Sequence, residues 1–126
     1  MRNLALFAIL IVATSIISMA QTRNNMNAKT EYIEIAKFKL KDGCTDKQFL
    51  DAEIAVRAGL IKSQKGFISR EISKDTDGNW LMDMRFETKE EMDAWMVALK
   101  QDPNMKVFGS MIDFQSMRME FFTKQL

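Results

Sequence analysis

The sequence predicts an α+β domain built from one four-stranded antiparallel sheet with two helices on one face. Three observations lead there. Stretches that alternate apolar and polar residues are interleaved with stretches of helical periodicity, in the order β-α-β-β-α-β. Both helical stretches open on the same signature, Thr45-Asp46-Lys47-Gln48 and Thr88-Lys89-Glu90-Glu91, the spacing of a capping box. An Asp77-Gly78 turn joins the second strand directly to the third, so these two form a hairpin. That order is the ferredoxin-like, split β-α-β sandwich.

Each element has its own warrant. Residues 31–40 (EYIEIAKFKL) alternate and are rich in β-branched and aromatic side chains, which predicts the first strand. Lys41-Asp42-Gly43 is a turn. The first helix carries Phe49, Ala52, Val56 and Leu60 on one stripe, widened by Ile54 and Ile61. It is expected to run to Lys65, with Gly66 as its stop. Residues 67–74 form the second strand, 75–79 the hairpin loop and 80–86 (WLMDMRF) the third strand. The second helix places Met92, Trp95, Met96 and Leu99 on one face, and Asp102-Pro103-Asn104 breaks it. A short irregular or helical piece covers Met105 to Ser110, and residues 113–122 (DFQSMRMEFF) form the last strand.

The chain of 126 residues is long enough for one domain, assigned to residues 31–126. Residues 1–20 are set apart as a signal peptide. Arg2 gives a positive start, Leu4 to Ile17 is an uncharged apolar run, and Ser18 and Ala20 are small residues placed for cleavage before Gln21. The run is shorter than the roughly 20 residues a membrane span needs; an uncleaved anchor helix is the alternative. Export to the periplasm or secretion follows, with no membrane association after cleavage. The polar segment 21–30 (QTRNNMNAKT) is expected to be a flexible leader. Removing Arg2 with the signal peptide leaves basic and acidic side chains in balance, so nucleic acid is not an expected partner. Cys44 is the only cysteine, so the chain has no intramolecular disulfide; it reads as a small turn residue rather than a reactive thiol.

Two entries in the composition narrow the chemistry. There are no histidines and eleven methionines. The first excludes Ser-His-Asp and Cys-His machinery, His zinc sites and His-ligated haem. The second raises thioether ligation of Cu(I). Met82/Met84, Met92/Met96 and Met117/Met119 each share a face, but those same spacings place them in a core. Flexible core filling, or an adaptable lining for an apolar ligand, accounts for them better. No metal and no cofactor are expected.

Alternation also assigns the sheet faces. Trp80, Met82, Met84 and Phe86, with Met117, Met119 and Phe121, are expected beneath the helices. The opposite face would then carry Leu81, Phe114 and Phe122 among Asp83, Arg85, Ser116, Arg118 and Glu120. That mixture is too apolar for water and too charged for a dry core. A self-complementary homodimer interface through this face fits it.

The segment Leu81–Leu99 (LMDMRFETKEEMDAWMVAL) resembles the antibiotic-biosynthesis-monooxygenase-like group of dimeric α+β-barrel proteins, which also includes haem-degrading monooxygenases. The match is a strand ending in an aromatic residue, then Thr-x-x-Glu, then an apolar helix containing Trp. The resemblance spans about residues 31–122 and implies two sheets packed face to face in a homodimer, with a small-molecule pocket in each subunit between helices and sheet. Trp95 falls where haem-degrading members carry a pocket Trp. Their strand-one Asn falls near Ala36 or Lys37 here and is missing, and their iron-binding His has no counterpart in residues 102–108. Haem degradation is therefore disfavoured.

The candidate ligand-binding residues are Trp95, Trp80, Tyr32, Asp83 and Arg85. Trp95 reads either as a pocket wall or as plain core. Asp83 and Arg85, with Arg118 and Glu120, read either as ligand contacts or as cross-strand ion pairs. No strong acid/base constellation is visible and no catalytic residue is assigned. The function expected is an exported dimeric domain that binds a small apolar or aromatic molecule. The alternative is a cofactor-independent monooxygenase on the same fold.

Overall fold

The period-2 segments pair into one antiparallel sheet and the amphipathic segments cover one side of it. The computed structural model describes residues 30–125. The predicted signal peptide, and all but the last residue of the predicted leader, lie outside the described residues. The elements are β1 (Tyr32–Leu40), α1 (Asp46–Ala58), β2 (Phe67–Lys74), β3 (Trp80–Phe86), α2 (Lys89–Ala98), α3 (Pro103–Ser110) and β4 (Ile112–Thr123). The sheet order is β2-β3-β1-β4. Neighbours are antiparallel throughout, so each β-α-β unit crosses over an intervening strand. The core lies between this sheet and the helices. Ala36 and Phe38 on β1, Met84 and Phe86 on β3, Phe49 and Val56 on α1 and Trp95 on α2 are all essentially inaccessible to water. Among the described residues no helix is long and apolar enough to cross a membrane.

Four details depart from the sequence-based expectation. Helix α1 stops at Ala58, where the Gly59 N–H returns to Ala55 O at 3.1 Å. A 3₁₀ turn at Ile61–Ser63 then buries Ile61, while Ile54 points into solvent. Gly66 still acts as a backbone pivot, entering β2 with φ +73°.

The segment expected to be irregular or helical from Met105 is a regular two-turn helix that begins earlier, at Pro103, and runs to Ser110. Asp102 caps it by accepting the Met105 N–H at 2.9 Å, and Pro103 occupies the first turn, where its missing N–H has no helical partner to lose. Among the described residues the sheet therefore carries three α-helices where two were expected. Phe108 of α3 packs on Phe49 of α1 with ring centroids 4.8 Å apart.

The α2 capping box is half formed. Thr88 Oγ1 accepts the Glu91 N–H at 3.2 Å, but no bond from the Glu91 side chain back to the Thr88 N–H is made. The Glu91 carboxylate instead lies against Gly66, in the space a Cβ there would fill.

The fourth departure is a bulge in β4. Lys37 pairs with Arg118 and Lys39 with Asp113, so two steps along β1 span five along β4. Ser116 closes the bulge: its Oγ accepts the Lys39 N–H at 2.8 Å and donates to Asp113 O at 2.6 Å. Three extra residues reverse the facing of everything before them. Phe114 therefore lies on the helical side, near Gly109 of α3, and not on the open face with Arg118 and Glu120. Met119 and Phe121 keep the helical side, opposite Ala36 and Glu34, but the helices leave them substantially exposed.

Candidate functional site

Helices α2 and α3 do not close completely on the sheet. A cavity of about 460 Å³ remains between them and β1, β3 and β4. Its walls are Phe38, Trp95 and Phe108 together with five methionines, Met82, Met96, Met105, Met117 and Met119. Met82 comes from β3, Met117 and Met119 from β4, Met96 from α2 and Met105 from α3. The flexible thioether chains give a soft, apolar lining.

Three buried polar groups interrupt that lining. The first is Glu34. It stands in phase with Ala36 and Phe38, so β1 aims it at the helices, where only 2% of it is exposed. Its Oε2 is buried and has no hydrogen-bond partner. Burial pushes its carboxyl above the usual glutamate range, and the positive charge of Arg70 opposes this in part. The second is the Trp95 indole N–H, also buried and unpartnered. A buried donor or acceptor left unmade forfeits about 1–3 kcal/mol.

The third is Arg70, on β2, which is 3% exposed. Its Nε and Nη2 donate to Oε1 and Oε2 of Glu53 on α1, each at 2.8 Å. Arg57, one turn further along α1, donates to the same Glu53 Oε1 at 2.8 Å. The Arg70 Nη1 lies 3.5 Å from Met84 Sδ. Its guanidinium sits over the rings of Trp95 and Phe108, 5.8 and 5.2 Å from their centroids. Glu53 thus fixes the cation in place while its remaining face borders the cavity.

The structure brings one of the five sequence-predicted ligand residues to this cavity, Trp95. Trp80 is buried against Phe49, with ring centroids 4.7 Å apart, and Lys74 Nζ lies 5.3 Å from its ring. Tyr32 borders a separate depression with Lys89, Met92, Asp93 and Phe121. Asp83 and Arg85 lie on the open face of the sheet. Arg85 grips Asp83 through Nε and Nη2 at 2.9 and 3.0 Å and reaches Glu31 at 3.3 Å, and Lys124 also binds Glu31, at 3.1 Å. The Lys124 and Arg85 contacts hold the Glu31 carboxyl below its ordinary range, and Asp83 holds Arg85 more firmly protonated.

Sequence reasoning missed Glu34, Arg70 and Glu53. The signal was present for two of them. Glu34 alternates in phase with Ala36 and Phe38, and Glu53 is four residues from Phe49 and three from Val56, on the buried stripe of α1. A charge at a core-phase position needs a buried partner or a ligand. Among the described residues no group of three or more His, Cys, Asp or Glu side chains could hold a metal ion. Cys44 is a half-buried free thiol beside a shallow depression near Gln48 and Met111.

No family model matches the chain, and no curated protein matches it. Solved structures do. SnoaB, a cofactor-independent oxygenase from Streptomyces nogalater, aligns over 76% of this chain and 94% of its own, with 12% identity and a TM-score of 0.62. The chain has the ferredoxin-like α+β fold of the antibiotic-biosynthesis-monooxygenase-like proteins. The ActVA-Orf6 monooxygenase of Streptomyces coelicolor, solved in complex with nanaomycin D, covers 78% of this chain and 90% of its own at 12% identity, with a TM-score of 0.57. A dimeric ferredoxin-like protein from Thermobifida fusca covers 75% and 92% at 12% identity, with a TM-score of 0.60. At these identities the likeness is one of fold.

Proposed function

We propose that this domain binds a small aromatic molecule carrying a hydroxyl group, in the cavity between the sheet and α2–α3. One observation carries this reading. Glu34 Oε2 and the Trp95 N–H are both buried and unpartnered, and both residues border the same apolar cavity. A ligand hydroxyl can donate to the carboxylate and accept from the indole. The aromatic body would replace water against Phe38, Phe108 and the methionines.

Calorimetry with naphthol and naphthalene tests this. The hydroxyl should tighten binding about tenfold, the value of one recovered hydrogen bond. Glu34→Gln and Trp95→Phe should each reduce that advantage. Equal affinity for the two compounds would overturn the proposal.

A second reading, cofactor-independent oxygenation, is favoured by the position of Glu34. Burial makes the Glu34 carboxylate a stronger proton acceptor from a phenol than a carboxylate in water. The Trp95 N–H would steady the resulting oxyanion. A phenol and dioxygen give a quinone and water without external reductant, so the chain's own residues need only bind, deprotonate and exclude solvent. SnoaB and the ActVA-Orf6 monooxygenase, which share the fold, lend family-level support. An oxygen electrode decides: no uptake with a phenol or hydroquinone that binds would reject this reading.

The domain is further proposed to act as an exported homodimer. The open sheet face exposes Leu81 and Phe122 beside Ile33, Ile35 and the paired charges Asp83, Arg85 and Glu31, a composition suited to a second copy. The dimeric Thermobifida fusca protein of the same fold supports this. Export rests on residues 1–20 alone. Mass spectrometry of the mature protein should find Gln21 at its N-terminus, and retention of Met1 would refute cleavage.

A further inference from the structure

We propose that the ligand of this cavity is an organic anion: its apolar body enters between the sheet and the helices while its acidic group stays at the mouth, held by Lys41, Lys100 and Lys106. The inference deepens the binding function above and rests on it. These lysines come from three separate places in the chain: the end of β1, the segment after α2, and α3. All three border the cavity and all three are exposed. Among the described residues none of them takes part in an ion pair; Lys37, Lys39, Lys62 and Lys65 are unpaired too, but these do not border the cavity, so what sets the three apart is that they gather at one site.

The acid side of the cavity is equally uneven. Among the described residues Glu34 is the only carboxylate that borders it, and Glu34 is buried, whereas the lysines are in water. The other buried charge at the wall, Arg70, is already matched by Glu53. Asp102, at the start of α3, has Oδ1 committed to the Met105 N–H. The cavity is therefore bordered by three exposed, unmatched cations, and its buried polar groups are those of Glu34, Arg70 and Trp95. Because the whole chain is close to neutral, this local excess is not a by-product of a basic protein. A neutral hydrocarbon would leave the three ammonium groups without a counter-charge. An amphiphile with a carboxylate or sulfonate at one end would match both the walls and the mouth.

The experiment compares two fluorescent probes of nearly the same shape: anilinonaphthalene sulfonate and its uncharged parent, phenylnaphthylamine. They are titrated into the purified protein at low and high salt. The sulfonate should bind about tenfold more tightly at low salt, with the preference fading as salt screens the exposed lysines. The triple substitution Lys41→Gln, Lys100→Gln, Lys106→Gln should abolish the preference and leave the neutral probe's affinity unchanged. Substituting Lys39, Lys62 and Lys65, which do not border the cavity, should leave the preference intact. If the neutral probe binds but the sulfonate binds no better, or if its advantage survives the triple substitution, the anion proposal is overturned and the cavity reading stands. If neither probe binds, both are overturned.

Discussion

Arg70 and Glu53 are joined by two hydrogen bonds of 2.8 Å, between side chains that are both almost completely buried. Such a pair adds little net stability over a well-packed apolar pair, but breaking it is expensive because one charge remains uncompensated. Glu53→Ala should therefore destabilise the domain by about 3–5 kcal/mol. Replacing both residues together, Glu53→Met with Arg70→Met, should be much milder. Urea unfolding of the three proteins checks this. A double variant as unstable as Glu53→Ala would show that packing, not charge, dominates the site.

Glu34 gives a pH dependence of unusual sign. Its carboxyl is raised above the ordinary glutamate value of 4.5 by burial. The folded state therefore holds the Glu34 proton over a pH range where the unfolded chain has released it. Stability from this group is fully present below the unfolded value and is lost as pH rises through the folded one. Glu31, whose carboxyl is lowered, slopes the other way, but it is common to both proteins in a comparison with Glu34→Gln. The substituted protein should thus gain stability relative to wild type as pH rises from about 4 toward neutrality. Urea midpoints taken across that range measure the difference, and a constant difference would refute the burial argument.

Gly66 separates backbone strain from side-chain conflict. Gly43, Gly66 and Gly78 all have φ between +73° and +85°. A Cβ at Gly43 or Gly78 would meet nothing, whereas one at Gly66 would collide with the Glu91 carboxylate. Alanine at Gly43 or Gly78 should destabilise by about 1 kcal/mol, from the left-handed backbone alone. Gly66→Ala should exceed that by a further ~1–2 kcal/mol, in line with other overpacking substitutions. Combining it with Glu91→Ala should recover the excess but not the backbone part. Thermal or urea unfolding of the set distinguishes the two contributions.

How much of this was readable in the chain depends on how local the signal is. β2 and β3 fall at the residues the alternation assigns, because the Asp75–Asn79 loop is specified locally: Asp75 accepts the N–H groups of Asp77 and Asn79. The start of α3 was also local, since Asp102-Pro103 is a cap followed by a first-turn proline, although the same two residues read as a helix breaker. The β4 bulge was not local. It depends on Ser116 bonding to Lys39, seventy-seven residues away in sequence, so alternation alone misplaced Phe114. Trp95 was found at the cavity because an aromatic residue on an apolar stripe suggests a wall. Glu34, Arg70 and Glu53 were passed over because a charged residue inside an apolar pattern reads as surface until the element packed against it is known.

The open face of the sheet provides the last test. Leu81 is 37% exposed on that face, near the hairpin end of β3, paired across the strands with Lys37 and Ser73. If two copies meet through this face, each must cover an area of about 600–1,000 Å², and Leu81 would lie within it. Leu81→Glu would place a carboxylate from each copy in the interface and exclude both from water when the copies associate, a penalty of several kcal/mol. In the monomer the new side chain faces solvent beside Lys37, so the fold should hold. Light scattering should give a dimer for the wild-type protein and a monomer for Leu81→Glu at the same concentration, with unchanged circular dichroism. Trp95 and Glu34 lie on the other side of the sheet, so naphthol binding should survive the substitution. A variant that remains dimeric would move the interface to another surface, and the exposed β4 side chains Phe121 and Met119 would be the next to substitute.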